Sequence, residues 1–147
     1  MASFNTTGLD EVMLMIERHG ERAEKAVEPM LKAGAAVLAK AQEIEAKRVS
    51  KTARSTGTLA ASIGATQVKI SPKTMGKSVD VFPQGYHPHG HPRKHERGPV
   101  SSAQVGFVLE YGRSNMRAQP WMRKANKKAS KDVLAAMLKE WEAKQNG

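Results

Sequence analysis

Four histidines, His87, His89, His91 and His95, crowd into residues 86–98 beside Tyr86. Alternate residues of an extended chain point to one side, so three of these imidazoles can face one ion. Imidazoles also titrate near neutral pH, which makes the same stretch a candidate proton-sensitive contact. Pro88, Gly90 and Pro92 interrupt regular extension, and no Cys or paired carboxylate completes a coordination sphere. Tyr86, His87, His89 and His91 therefore read as a solvated loop or a contact with another chain, with no metal expected.

A second group is basic. Arg113, Arg117, Arg123, Lys124, Lys127, Lys128 and Lys131 run without an acid until Asp132. Such a cluster can neutralise phosphates along a nucleic acid. It can equally be a solvated helix face, or a surface that meets an acidic neighbour. Aromatic residues interleaved for base stacking are absent from it, which favours the second pair of readings. Catalytic signatures do not occur. There is no phosphate-binding Gly-rich loop and no nucleophile elbow, and no spacing ties the single Ser, His and Asp residues into a site. No enzyme activity and no cofactor are expected.

The chain that must position these groups has 147 residues, 39% of them hydrophobic and 5% aromatic, with eight Met and no Cys. That length suits one domain, able to bury about two thirds of its unfolded surface. The Met content favours adaptable packing. Absence of Cys removes disulfides and thiolate chemistry, and fits assembly in a reducing cytoplasm. The apolar run Val12, Met13, Leu14, Met15, Ile16 is far below the roughly 20 residues a membrane span needs. It follows Asp10 and Glu11 and not a positive region, so neither a signal peptide nor a membrane contact is expected. The net charge is +10, unevenly placed. Residues 1–45 hold eight acids and five bases, a net of −3, and residues 46–147 hold 19 bases and six acids, a net of +13. A basic body with an acidic end can meet nucleic acid, or can dock head to tail on a second copy and close a ring.

Periodicity gives the elements. Residues 9–48 read as helical, with Gly20 ending a first short helix and Pro29 kinking or splitting a longer one. The longer helix has an apolar stripe of Val27, Met30, Leu31, Gly34, Val37, Leu38, Ala41 and Ile44. Gly34, Ala35 and Ala36 are small enough to admit another backbone. Residues 49–64 read as a basic linker and a short helical turn. Residues 65–110 read as sheet: strands at 65–70 and 78–82 joined through 72–77, an extended loop at 83–99, and a third strand at 103–110 with Val105, Phe107 and Leu109 alternating. Loops as long as 83–99 without structure of their own are usually functional or disordered, and this one is expected to order on docking. A last helix spans 120–144, with Pro120 at its first position and Leu134, Met137, Leu138 and Trp141 on its apolar stripe. The fold class is α+β, a small antiparallel sheet with helices against one face.

Two stretches stand out in this order. Thr56-Gly57-Thr58-Leu59-Ala60-Ala61-Ser62-Ile63 lies between the long helix and the first strand. Val108-Leu109-Glu110-Tyr111-Gly112 is followed by Gln119-Pro120-Trp121-Met122-Arg123 at the start of the last helix. Leu59 and Ile63 are four apart and can plug one apolar site, and Ser62 can satisfy a nearby backbone group. Gly57 and Gly112 admit backbone angles closed to other residues. Glu110 can pair with Arg113 or with a basic group on a neighbour. Trp121 beside Pro120 is a rigid apolar anchor, suited to an interface or to the chain's own core.

The pair of stretches, a Gly-x-Leu-x-x-Ser-Ile segment after a helix and a Glu-Tyr-Gly step before a Pro-aromatic pair, resembles the minor tail-component family of HK-type siphophages, the head–tail joining or tail-completion proteins. The resemblance runs from about Gly8 to the end; the crowded histidines depart from it. It implies a structural virion protein of the neck, assembled in the host cytoplasm. The implied partners are further copies in a ring, six in number by that resemblance, with head-completion and tail-terminator or tube proteins on either side and genomic DNA in the lumen. Gly57, Leu59, Ser62, Ile63, Glu110, Gly112, Pro120 and Trp121 are the expected interface residues. The alternative is a small basic nucleic-acid-binding protein, which rests on a pI of about 10.0.

Overall fold

A computed structural model describes residues 20–50, 57–87 and 100–146. The first expected short helix and His89, His91 and His95 lie outside the described residues. Ten elements follow in order. Helix α1 spans Glu21–Val49 and helix α2 spans Thr58–Ser62. The strands are β1 Ile63–Ala65, β2 Lys69–Ile70, β3 Lys77–Ser78, β4 Val81–Pro83, β5 Tyr86–His87 and β6 Val100–Ser101. Helix α3 spans Ser102–Tyr111 and helix α4 spans Trp121–Gln145. The class is α+β.

α1 and α4 form an antiparallel pair that carries most of the core. At one end Ala46 and Val49 of α1 pack with Trp121, Leu59 and Ala60; at the other Ala23, Ala26 and Met30 pack with Trp141. The two tryptophans thus bracket the pair. Between them, a Cβ on Gly34 would meet Met137 Cγ at 2.7 Å, so the small residue does admit close approach. Pro29 lies inside α1 without ending it. One proline forfeits a single intrahelical bond, and packing along the whole length of α1 outweighs that loss.

The buried stripe of α1 differs from the one its large apolar residues suggest. Ile44 is 60% exposed, whereas Gln42 and Glu45 are buried. Alanines supply most of the contact face, with Met30 and Val49, and each of the two polar residues there meets a partner, although Gln42 Oε1 accepts no hydrogen bond. Gln42 Nε2 donates to Asn126 Oδ1 at 3.0 Å. Glu45 accepts from Lys128 Nζ and Arg48 Nε, each at 2.6 Å.

The sheet is three two-stranded antiparallel ladders, β1–β4, β2–β3 and β5–β6. The first two form one long hairpin, with Ile63 opposite Pro83 and Lys69 opposite Ser78. Its strand interruption is bridged where Thr66 N–H donates to Asp80 O at 2.8 Å and Asp80 N–H donates to Thr66 Oγ1 at 3.0 Å. The connection runs through 72–77 as the sequence suggests, and Met75 in it has a positive φ, 55°. β5 and β6 close the base of the segment that contains the remaining histidines.

The expected third strand at 103–110 is a helix, α3. Alternation of Val105, Phe107 and Leu109 was the wrong period to follow. The buried residues are Ser102, Gly106 and Glu110, four apart. Ser101 caps the helix, its Oγ accepting from Gln104 N–H at 3.1 Å. The Ser101-x-x-Gln104 spacing is a helix-start signature, and Gly112 supplies the stop.

Candidate functional site

The two sequence stretches meet in space, and their chemistry is that of a joint. α3 ends at Gly112, whose φ is 74°. A Cβ there would stand 2.7 Å from both Ala118 N and Met116 O, so the chain can double back only with glycine at this position. The return is held by Gln119 N–H donating to Leu109 O at 2.7 Å. Pro120 then stands at the N-cap of α4.

A proline cap offers no side-chain acceptor, and α4 has no acidic residue in its first turn. Glu110 supplies what is missing. Its carboxylate accepts from Met122 N–H at 2.8 Å and from Arg123 N–H at 3.3 Å. It therefore caps α4 from the neighbouring helix and puts a negative charge at the positive end of that helix. This corrects the pairing with Arg113; Arg113 Nε donates instead to Asn115 Oδ1 at 2.9 Å.

Trp121 completes the joint. It is fully buried, and its Nε1 donates to Gly106 O at 3.1 Å. A Cβ on Gly106 would come within 3.1 Å of both the Trp121 ring and Pro83, so α3 crosses the ring where it lacks a side chain. Of the two readings open for Trp121, the chain's own core is the one observed. Leu59 sits in the same cluster with Ile63 packed against it. Ser62 Oγ donates to Leu59 O at 2.7 Å. Gly57, φ 72°, caps α2. Leu59 and Trp121 are spent on the chain's own core, and Glu110, which caps α4, is also one of the residues lining the open groove beside α3; together they set the angle between helices.

The surfaces that this joint displays are different residues. Phe107 and Tyr111 stand one helical turn apart on α3, 63% and 56% exposed, ring centroids 4.7 Å apart. With Phe82, Met122 and Arg123 they line an open groove of about 420 Å³. The groove is hidden in the sequence, because a strand puts Phe107 and Tyr111 far apart along the chain, whereas a helix stacks them. Tyr86 is exposed, and His87 is seen through its backbone pairing with Val100.

The basic residues are brought together as a stripe. Lys124, Lys127, Lys128 and Lys131 follow one face of α4, all exposed, with Arg123 beside them. Arg113 and Arg117 are exposed on the connection before α4. Lys128 is partly neutralised by Glu45, whose carboxyl is held below its ordinary value of 4.5, first by the Lys128 hydrogen bond and then by that of Arg48. Among the described residues no three metal-ligating side chains converge, and no helix is long and apolar enough to cross a membrane.

The arrangement presents surfaces and rigid joints. A model of the family described as "Bacteriophage HK97-gp10, putative tail-component" matches residues 10–91. No curated protein and no solved structure matches. The match takes in α1, α2 and the long hairpin, more than half of the chain, and includes the Gly57–Ile63 stretch, while Glu110–Trp121 lies beyond it; the chain belongs to the HK97-gp10-like family of bacteriophage tail components.

Proposed function

We propose that this tail component is a joining subunit, which assembles with further copies into a ring between the head-side connector and the tail and continues the DNA channel. The observation that carries this reading is the division of labour around α3. The residues that the family resemblance singles out are spent on fixing α3 against α4, and what that fixed joint displays is an exposed aromatic groove beside a basic stripe. Rigid presentation of surface is what an assembly subunit needs, because each neighbour must find the same geometry. The neighbours in this reading are head-completion and tail-terminator or tube proteins, and the location is the neck of the virion.

The test is an image of particles from a phage lacking this gene, with and without added purified protein. Full heads and separate tails, joined on addition, support the joining role. Normally joined particles without the protein overturn it.

A second reading, a small basic nucleic-acid-binding protein, is favoured by the stripe of Lys124, Lys127 and Lys131 on one exposed helix face. It calls for tight DNA retention that falls steeply with salt. Weak retention with a shallow slope is the expectation for the joining subunit, whose lysines then meet a protein or only line a channel.

A further inference from the structure

We propose that the groove on α3 receives the acidic, apolar segment around Val12–Ile16 of a second copy of this chain, which makes the contact between neighbours head to tail. The proposal rests on the ring reading above and names its interface.

The groove has the chemistry for that occupant. Phe107, Tyr111 and Phe82 give aromatic faces, and Met122 an adaptable floor. Arg123 stands at its edge, exposed, with Lys127 one turn further along the same side of α4. The one carboxylate in the lining, Glu110, already accepts from Met122 and Arg123 N–H, so an occupant should be apolar where it meets the rings and negatively charged where its flanks meet Arg123. The sequence Asp10-Glu11-Val12-Met13-Leu14-Met15-Ile16-Glu17 is that combination, with two Met for the rings and acids on both sides. Sulfur–aromatic contacts and a charge match at the rim both favour it.

Chain length decides which copy supplies it. The groove lies at the level of Gln42, because Asn126, one of its lining residues, hydrogen-bonds Gln42. Gly20 lies at the far end of α1. A helix rises 1.5 Å per residue, so Gly20 and Gln42 are roughly 33 Å apart. From Gly20 back to Val12 a fully extended chain spans at most about 28 Å, and to Ile16 about 14 Å. The apolar centre of the segment cannot reach the groove of its own chain; it can reach that of a neighbour. A surface that accepts what a different surface of the next copy donates is heterologous, and such contacts form a ring where the rotation from copy to copy closes.

The chain has no cysteine, so single thiols can be introduced cleanly. Leu14→Cys protein is mixed with Tyr111→Cys protein under oxidising conditions, and the peptide linking the two positions is quantified by mass spectrometry. Leu14→Cys mixed with Thr74→Cys, at the hairpin tip, is the control. Since a disulfide needs Cα atoms within about 7 Å, the first mixture should exceed the control about tenfold, and adding Phe107→Asp to the Tyr111→Cys chain should abolish the excess. Equal yields in both mixtures overturn the proposal. So does a doubly substituted chain that closes its own bridge as a monomer. Sedimentation of the unsubstituted protein is run alongside: oligomers without the cross-link leave the ring standing and remove this interface, while neither oligomer nor cross-link removes both.

Discussion

At the scale of single residues, this protein spends its most recognisable side chains on geometry. Glu110, Gly112 and Trp121 look like interface residues in the sequence because they are polar, flexible and aromatic at the end of an element. Each instead answers a need inside the chain: a cap for α4, a left-handed corner, a donor for Gly106 O. Residue type alone could not separate those uses, because a capping carboxylate and an interface carboxylate look alike until the acceptor's partners are known. Gly112 gives the sharpest test. Gly112→Ala adds a Cβ 2.7 Å from two backbone atoms at a φ of 74°. Left-handed strain and the clash together should cost about 2–4 kcal/mol. Chemical denaturation should show a lowered midpoint with an unchanged slope. A midpoint equal to that of the unsubstituted protein would mean that the corner relaxes freely and that Gly112 is not its pivot.

At the scale of elements, the helices at either end were legible and the one between was not. α1 and α4 are long, so their periodicity is sampled many times over, and Gly20 and Pro120 mark their starts. α3 is short, and its buried positions are Ser102, Gly106 and Glu110, none of them apolar by type. Hydrophobic pattern therefore points to the exposed residues and suggests a strand. The Ser101–Gln104 cap spacing was the surviving signal. The groove went unseen for the same reason, since its rings converge only on a helix. The α1–α4 contact carries a pH dependence of its own. Glu45, with a side chain 5% exposed, accepts from Lys128 and Arg48, and its folded pKa lies below the ordinary 4.5. A depressed carboxyl contributes stability that is complete above the unfolded value and is lost as pH falls through the folded one. Thermal melts taken from pH 7 downward should hold steady to about pH 5 and then fall. In Glu45→Gln the melting temperature should be lower at pH 7, by about 1–2 kcal/mol of stability, and that difference should shrink at acid pH. A difference that is constant with pH would assign the loss to packing and not to charge.

At the scale of the whole molecule, antiparallel packing of α1 on α4 turns an uneven sequence into an uneven body. Lys47 and Arg48 at the end of α1 come to lie at the same end as Arg123, Lys124, Lys127, Lys128 and Lys131 of α4, while the start of α1, where acids and bases balance, lies with Trp141 at the other. The basic end is also the N-terminus of α4, where the helix dipole is already positive and cations are unfavourable. Stability alone would place acids there. Glu110, reaching over from α3, offsets part of that cost, but the lysines remain, which is the pattern expected if they serve a contact outside the fold. Lys124→Glu separates the two demands. It puts an acid in the region where the dipole favours one, four residues before Lys128, and should raise stability by about 0.3–1 kcal/mol. The same change should weaken whatever the basic end meets, an acidic segment of a neighbour or a nucleic acid. The measurement pairs a melting curve with a joining assay on particles that lack the protein. A variant that melts higher and joins less well identifies the stripe as a contact held at the fold's expense. One that melts higher and joins as well as the unsubstituted protein would make Lys124 a solvated lysine and confine the contact to Arg123 and the groove.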